Sequence, residues 1–234
     1  MLIINPGSTS TKIAVYDDDK PLFTEVLRHS AEDLAGFRNV ADQFTFRRDL
    51  IVAALEAHGV ELSSLAAVVG RGGLLRPIPG GTYRVSAAML DELSRAVHGE
   101  HASNLGALLA HEIAQSAGGV SAFIVDPVVV DELEPEARLT GLPEMPRRSV
   151  FHALNQKAVA RRAAADLGRR YEDLNLIVVH LGGGVTIGAH RHGRVVDVNN
   201  GLDGDGPMSP ERSGALPTLG LIHLAFSWRH TLRE

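Results

Sequence analysis

The chain contains no cysteine. Disulfides and thiolate chemistry are therefore excluded, and the composition fits a reducing compartment such as the cytoplasm. It has no run of about 18 apolar residues, so no membrane span is expected. It begins on a strand-like stretch without a basic leader, so no signal peptide is expected either. An excess of positive charge is also missing: 23 Lys and Arg stand against 28 Asp and Glu, for a net charge of −5. No broad basic surface advertises nucleic acid. Among the basic residues arginine far outnumbers lysine, so single arginines on helices carry no message. With 234 residues the chain can hold one large domain or two of modest size.

What is present is organised around residues 175–198. Leu176, Ile177, Val178 and Val179 form an apolar, β-branched run typical of a buried strand. His180, Leu181, Gly182, Gly183 and Gly184 follow. Consecutive glycines let another group approach the backbone, and their N–H groups can converge on an anion. Residues 185–189 read as a second strand, 191–194 as a turn and 195–198 as a third strand.

The same plan stands at the N-terminus. Residues 2–4 are a strand, 5–11 a small-residue bend, 12–16 a strand, 17–20 a turn and 22–27 a strand. Asn5 takes the place of His180, and Gly7 that of Gly182. An internal repeat of this kind predicts two related domains.

Between the copies, residues 47–58 form an amphipathic helix stopped by Gly59. A short apolar strand at 65–70 runs into Arg71, Gly72 and Gly73, where an open α/β sheet places its ligands. Residues 76–81 must be a loop. Helices are predicted from Ser86 to about Val97 and over 102–117. A strand at 122–126 ends in Asp126, again at a strand tip. The proline-rich stretch 140–146 is a boundary, which sets domains at 1–148 and 149–234. A helix covers 151–167. The order of three strands, helix, strand, helices, strand is that of the ribonuclease H-like unit. Its duplication gives the α/β actin-like ATPase (ASKHA) fold. Residues 199–234 are far shorter than the matching part of the first copy, so the second domain is expected to be incomplete.

Seven short motifs now resemble the acetokinase family, in order along the chain. They begin at Asn5, Val69, His101, Val125, Arg148, His180 and Pro210. Asn-Pro-Gly at 5–7, Gly183, and Phe-His-Ala at 151–153 are most similar to the butyrate kinase branch. The resemblance implies ATP, Mg²⁺ and a short-chain fatty acid as reactants, with ADP and an acyl phosphate as products. It implies that Arg71 holds the substrate carboxylate and His101 lines its pocket. Arg212 and His152 would stabilise the transferring phosphoryl group, with Asp126 beside the metal or its water. Asn5 would lie on the metal side. Lys12, His180, Leu181, Gly182, Gly183 and Gly184 would contact nucleotide phosphates. It implies a cytoplasmic protein without membrane or nucleic-acid partners and leaves room for a homo-oligomer. Relatives of this kind build their adenosine pocket beyond the Arg-Ser-Gly motif. This length of chain is therefore expected to turn over poorly, to be poorly soluble, and to expose Leu219, Leu221, Ile222, Leu224 and Phe226.

The residues alone leave other readings open. Asp126 before Pro127 is often a turn residue. His152 can be a helix N-terminal residue, and Arg212 a surface partner of Glu211 or Asp205. His98, His101, His190 and His192 lack a third ligand for zinc, and His190 and His192, flanking a turn, are read as solvated. A sugar kinase or ATPase on the same fold, with Asp126 as base, and a non-catalytic fragment are the competing functions.

Overall fold

The computed structural model describes residues 1–229 and 231. The chain divides into two compact units, Met1–Val130 and Asp131–Glu234. The division falls ahead of the proline-rich stretch because two acidic residues before it are fastened to the second unit. The Glu132 carboxylate pairs with Lys157 Nζ at 2.9 Å and accepts from Val195 N at 2.7 Å. Glu134 N donates to Val196 O at 3.0 Å.

In the first unit β1 (Leu2–Pro6), β2 (Ser10–Asp17) and β3 (Lys20–Arg28) form an antiparallel meander. Next come α1 (Ala31–Leu34), α2 (Phe44–Ala57), β4 (Ala67–Arg71), β5 (Thr82–Arg84), α3 (Ala87–Ser94), α4 (Asn104–Ser116) and β6 (Ser121–Val125). The six strands lie in the order β3-β2-β1-β4-β6-β5. Strands β1, β4 and β6 are mutually parallel, and β5 adds antiparallel to β6. The short strand β5 lies just past the loop read at 76–81 and was not foreseen. Ser30 and Ser86 cap α1 and α3 by accepting from backbone N–H groups three residues on. The core is made by the alternating inward residues of the strands, Leu2, Ile4, Ile13, Val15 and Val68. Against them pack Ile51 and Leu55 of α2, and Leu105, Leu109 and Ile113 of α4.

One contact fixes the spacing between β4 and α4. A Cβ at Gly70 would lie 2.0 Å from Gly106 O, and a Cβ at Gly106 would lie 2.0 Å from Arg71 O. Backbone thus meets backbone, and the C-terminal tip of β4 is seated on the first turn of α4. Gly72 and Gly73 do the same work, since their Cβ positions would meet Pro127 at 2.5 Å and Asn104 at 2.6 Å. These glycines serve packing and aim Arg71.

The second unit opens with α5 (Ala153–Asp166). It is followed by the antiparallel strands β7 (Asn175–Leu181), β8 (Val185–Arg191) and β9 (Arg194–Val198), then α6 (Thr218–Ala225). Both units therefore begin their sheets with strand, bend, strand, turn, strand. Ala160 and Ala164 of α5 pack on Tyr171, Leu174 and Val178. The run 176–179 is not a buried strand as expected. β7 is an edge strand covered on one face, so Val178 is buried while Ile177 and Val179 are exposed. On α6 and just past it, Leu219, Leu221, Ile222, Leu224 and Phe226 are all exposed. Among the described residues no helix is long and apolar enough to cross a membrane.

Replacing Gly106 by alanine should raise helix propensity by about 1 kcal/mol yet drive a methyl group into a carbonyl oxygen. Overpacking of that kind costs about 1–3 kcal/mol or more, so a net loss of stability is expected in urea unfolding. Gly36→Ala is the control: its Cβ would meet nothing within 4 Å. It should change stability by less than about 0.5 kcal/mol. Equal behaviour of the two variants would refute the close-contact account.

Candidate functional site

In the first unit the bend between β1 and β2 is held from inside by a residue that no sequence pattern singles out. Arg47 of α2 is 1% exposed. Its guanidinium donates to Gly7 O at 2.9 Å, Ser10 O at 3.2 Å, Ser8 O at 3.2 Å and Thr11 Oγ1 at 3.0 Å. Gln43 Oε1 accepts from Nε at 3.0 Å. The guanidinium thus meets five acceptors, four of them in the bend and the first residues of β2, and the bend acquires a fixed shape without any carboxylate.

Asn5, at the mouth of this bend, has its Oδ1 3.4 Å from Arg71 Nη1. Arg71 sits half-buried at the tip of β4, and burial lowers its pKa from the usual value. A guanidinium nevertheless remains charged. Lys12 is exposed on β2 opposite Asn5. Asn5, Lys12 and Arg71 are therefore strand neighbours. His101 and Asp126 have local engagements. His101 Nδ1 lies 2.7 Å from Ser103 Oγ and accepts from Ser103 N at 3.2 Å, just before α4. Asp126 is 1% exposed with a left-handed φ of 38°. Its Oδ1 accepts from Gly81 N at 2.8 Å while its own N–H donates to Gly81 O at 2.9 Å. The side chain of Asp126 thus fastens the end of β6 to the residue before β5, a long-range tie and not a local Asp-Pro turn.

In the second unit the predicted residues converge. The rings of His152, at the N-terminus of α5, and His180, on β7, stack with centroids 3.7 Å apart and planes within 8°. Arg212 reaches the same bend: a Cβ on Gly184 would lie 2.6 Å from Arg212 Nη1 and 3.4 Å from His152 Cε1. A side chain at 184 would have to displace the Arg212 guanidinium. The turn at 209–212 is pinned onto the bend: Ser209 Oγ donates to Gly183 O at 2.7 Å, and Glu211 N donates to the same oxygen at 3.1 Å. Arg212 lies 4.0 Å from the Glu211 carboxylate, a loose surface pairing. So His152, His180, Gly184 and Arg212 meet in one donor-rich corner, with the Glu211 carboxylate beside Gly183.

Behind this corner lies a buried polar chain. Gln156 Nε2 donates to Thr186 O at 3.0 Å and to Thr186 Oγ1 at 2.8 Å. Gln156 Oε1 lies 3.0 Å from His190 Nε2, and His190 Nδ1 lies 2.6 Å from Tyr171 Oη. Thr186 Oγ1 lies 3.0 Å from His152 Nδ1. His180 Nδ1 is likewise engaged, 2.9 Å from Asn155 Nδ2. His190 is 2% exposed, so the solvated reading of this residue is corrected. β8 alternates, and Thr186, Gly188 and His190 all point inward. Gly188 leaves the space that Gln156 fills, for its Cβ would lie 2.3 Å from Gln156 Oε1. His192, past the end of that alternation, is exposed as expected.

Burial, and then the charge of Lys157, lower the His190 pKa to about 4 against an ordinary 6.5, with Glu132 opposing. Above pH 6.5 the ring is neutral in folded and unfolded chains alike, and its contribution to stability is fully present. Between 6.5 and 4 the unfolded chain takes up a proton that the folded chain refuses, so stability falls by about 3 kcal/mol across that window. Urea unfolding at stepped pH should show this slope, reduced by about one proton in His190→Gln. Identical slopes in the two proteins would contradict the assignment.

The family model of the acetokinase family matches residues 89–230. Butyrate kinase 1 and butyrate kinase 2 of Clostridium acetobutylicum are 58% and 57% identical over 234 residues, the whole of this chain. The chain spans 66% and 65% of the length of those two relatives. Among solved structures, Porphyromonas gingivalis acetate kinase matches with a TM-score of 0.74 at 19% identity. The match covers 99% of this chain and 65% of that one. A propionate kinase from Francisella tularensis matches with a TM-score of 0.67 at 19% identity, over 99% and 65% of the two chains. At such identity the structures establish the shared fold, the duplicated ribonuclease H-like plan of which this chain carries a part. The sequence match establishes the lineage: the chain belongs to the acetokinase family.

Proposed function

We propose that this chain carries the machinery of an ATP-dependent carboxylate kinase. It would transfer the γ-phosphoryl group of ATP to a short-chain fatty acid, butyrate foremost, giving an acyl phosphate and ADP. The observation that carries the reading is 58% identity to a butyrate kinase along every residue of the chain. The corner of His152, Arg212 and Gly184 supports it, because phosphoryl transfer needs donors and positive charge beside a backbone that phosphate can approach.

A fatty acid has a pKa near that of Glu, about 4.3, and is ionised at neutral pH. Its oxygen attacks the γ-phosphorus. The bond to the β-bridging oxygen breaks and its electron pair leaves with ADP, so no proton is moved. What the reaction needs is charge cancellation and alignment. We assign Arg71 to the substrate carboxylate and His101 to its pocket. His152 and Arg212 are assigned to the transferring group. Lys12 and His180, Leu181, Gly182, Gly183 and Gly184 are assigned to the nucleotide phosphates. Among the described residues no group of three or more His, Asp or Glu could hold a metal. Mg²⁺ therefore fits as an ion brought by the nucleotide, which keeps most of its waters and takes one or two protein contacts. Asn5 is assigned to that side, and Asp126 to the metal or its water. Bound there, the ion would neutralise phosphate charge. The same reading places the chain in the cytoplasm.

The test is hydroxamate trapping of acyl phosphate across carboxylates of graded length, with sugars as rival acceptors. It is run on residues 1–234 and on a full-length relative carrying the matching changes. Arg71→Ala should raise KM for the fatty acid about tenfold or more with kcat little altered. Arg212→Ala should lower kcat by about 10²–10³. Phosphorylation of a sugar in place of a carboxylate, or indifference to both substitutions, would sink the proposal.

A further inference from the structure

The buried chain behind His152 has one consistent direction, and it ends on that imidazole. The Thr186 carbonyl can only accept, so the Gln156 amide must turn its nitrogen toward it, 3.0 Å away. The amide oxygen then faces His190 Nε2 at 3.0 Å, which must carry a proton. His190 is buried among Tyr171, Gln156, Lys157 and Glu132, and its lowered pKa agrees with a neutral ring. Its Nδ1 therefore accepts from the Tyr171 hydroxyl at 2.6 Å. The second Gln156 N–H occupies Thr186 Oγ1 at 2.8 Å. Thr186 is 0% exposed, so its own hydroxyl proton needs an acceptor inside the protein. That acceptor is His152 Nδ1, 3.0 Å away.

We infer that Thr186, Gln156, His190 and Tyr171 form a positioning relay that holds His152 in its Nε2–H tautomer, as a fixed hydrogen-bond donor for the phosphoryl group. Thr186 is the residue that acts directly on His152; Gln156, His190 and Tyr171 act through it. The opposite tautomer would make His152 Nδ1 a donor to Thr186 Oγ1. That oxygen would then receive two donors while its own buried proton had no acceptor. The role of His152 toward phosphate rests on the proposed kinase reading. The tautomer does not.

The direct measurement is long-range proton–nitrogen NMR of the 234-residue chain labelled at histidine nitrogens, with His152 assigned by loss of its signals in His152→Asn. The native chain should show Nε2 protonated and Nδ1 as a hydrogen-bonded acceptor. Thr186→Val should move the Nδ1 resonance away from its hydrogen-bonded position. Thr186→Ser should return it, which a general loss of folding could not do. A native His152 with its proton on Nδ1, or an Nδ1 resonance indifferent to Thr186→Val, would overturn the relay. In a full-length relative that makes acyl phosphate, Thr186→Val should lower kcat about tenfold to a hundredfold at nearly constant KM, with serine restoring it. An unchanged kcat would also count against the relay. Failure of the native protein to phosphorylate any carboxylate would instead defeat the kinase reading, and the NMR result would still decide the tautomer.

Discussion

A buried polar group must find its partner inside the protein, because leaving it unmet costs more than any single bond returns. That constraint shapes both glycine-containing bends. In the first unit Arg47 enters from α2 and spends its donors on the carbonyls of residues 7, 8 and 10 and on Thr11. In the second, Gln156 enters from α5 and spends its donors on Thr186. The parallel goes further. Thr11 and Thr186 are both fully buried at the start of the strand after the bend. Each touches a helix donor on one side and a histidine on the other, His29 at 3.0 Å and His152 at 3.0 Å. The two bends are thus held by similar means from different places: the arginine comes from a helix that follows its meander, the glutamine from one that precedes it.

The two copies have put this plan to different uses. His29 is 4% exposed, and its pKa is lowered by burial and by Arg47. It closes the interior of the first unit. His152 is half-buried, stacked on His180 and close to Gly184 and Arg212. The second unit therefore brings a ring toward the surface, whereas the histidine beside Thr11 is enclosed.

Strand alternation, capping serines and helix-stopping glycines are local signals, and the order of elements followed from them. The glycine bends were legible because three glycines in sequence have few other uses. Arg47 and Gln156 were not legible. On a helical wheel each reads as an ordinary polar residue, and its burial depends on a carbonyl brought from a distant strand. Gly72 and Gly73 were read for ligand approach, whereas what approaches them is Pro127 and Asn104. The relay was not legible either. Thr186, Gly188 and His190 fall on alternate positions of one strand, but the apolar residues of that strand, Val185, Ile187 and Ala189, lie on its other, less buried face. Hydrophobic alternation therefore turned His190 toward solvent, and only the packing of α5 against the polar face reverses it.

The Arg47 clasp also bears on the order in which the first unit assembles. A hairpin usually gains its tight connection early, since the residues it joins are close in the chain. Here the carbonyls at 7, 8 and 10 receive their donors from a residue 37 to 40 positions away. The meander can zip from the turn at 17–20, but until α2 has docked the bend between β1 and β2 has its local Gly7 N to Ser10 O bond, 2.7 Å, and not the donors of Arg47. The full set of hydrogen bonds that fixes this bend is therefore a late product of tertiary assembly, complete only in molecules whose second helix is already home.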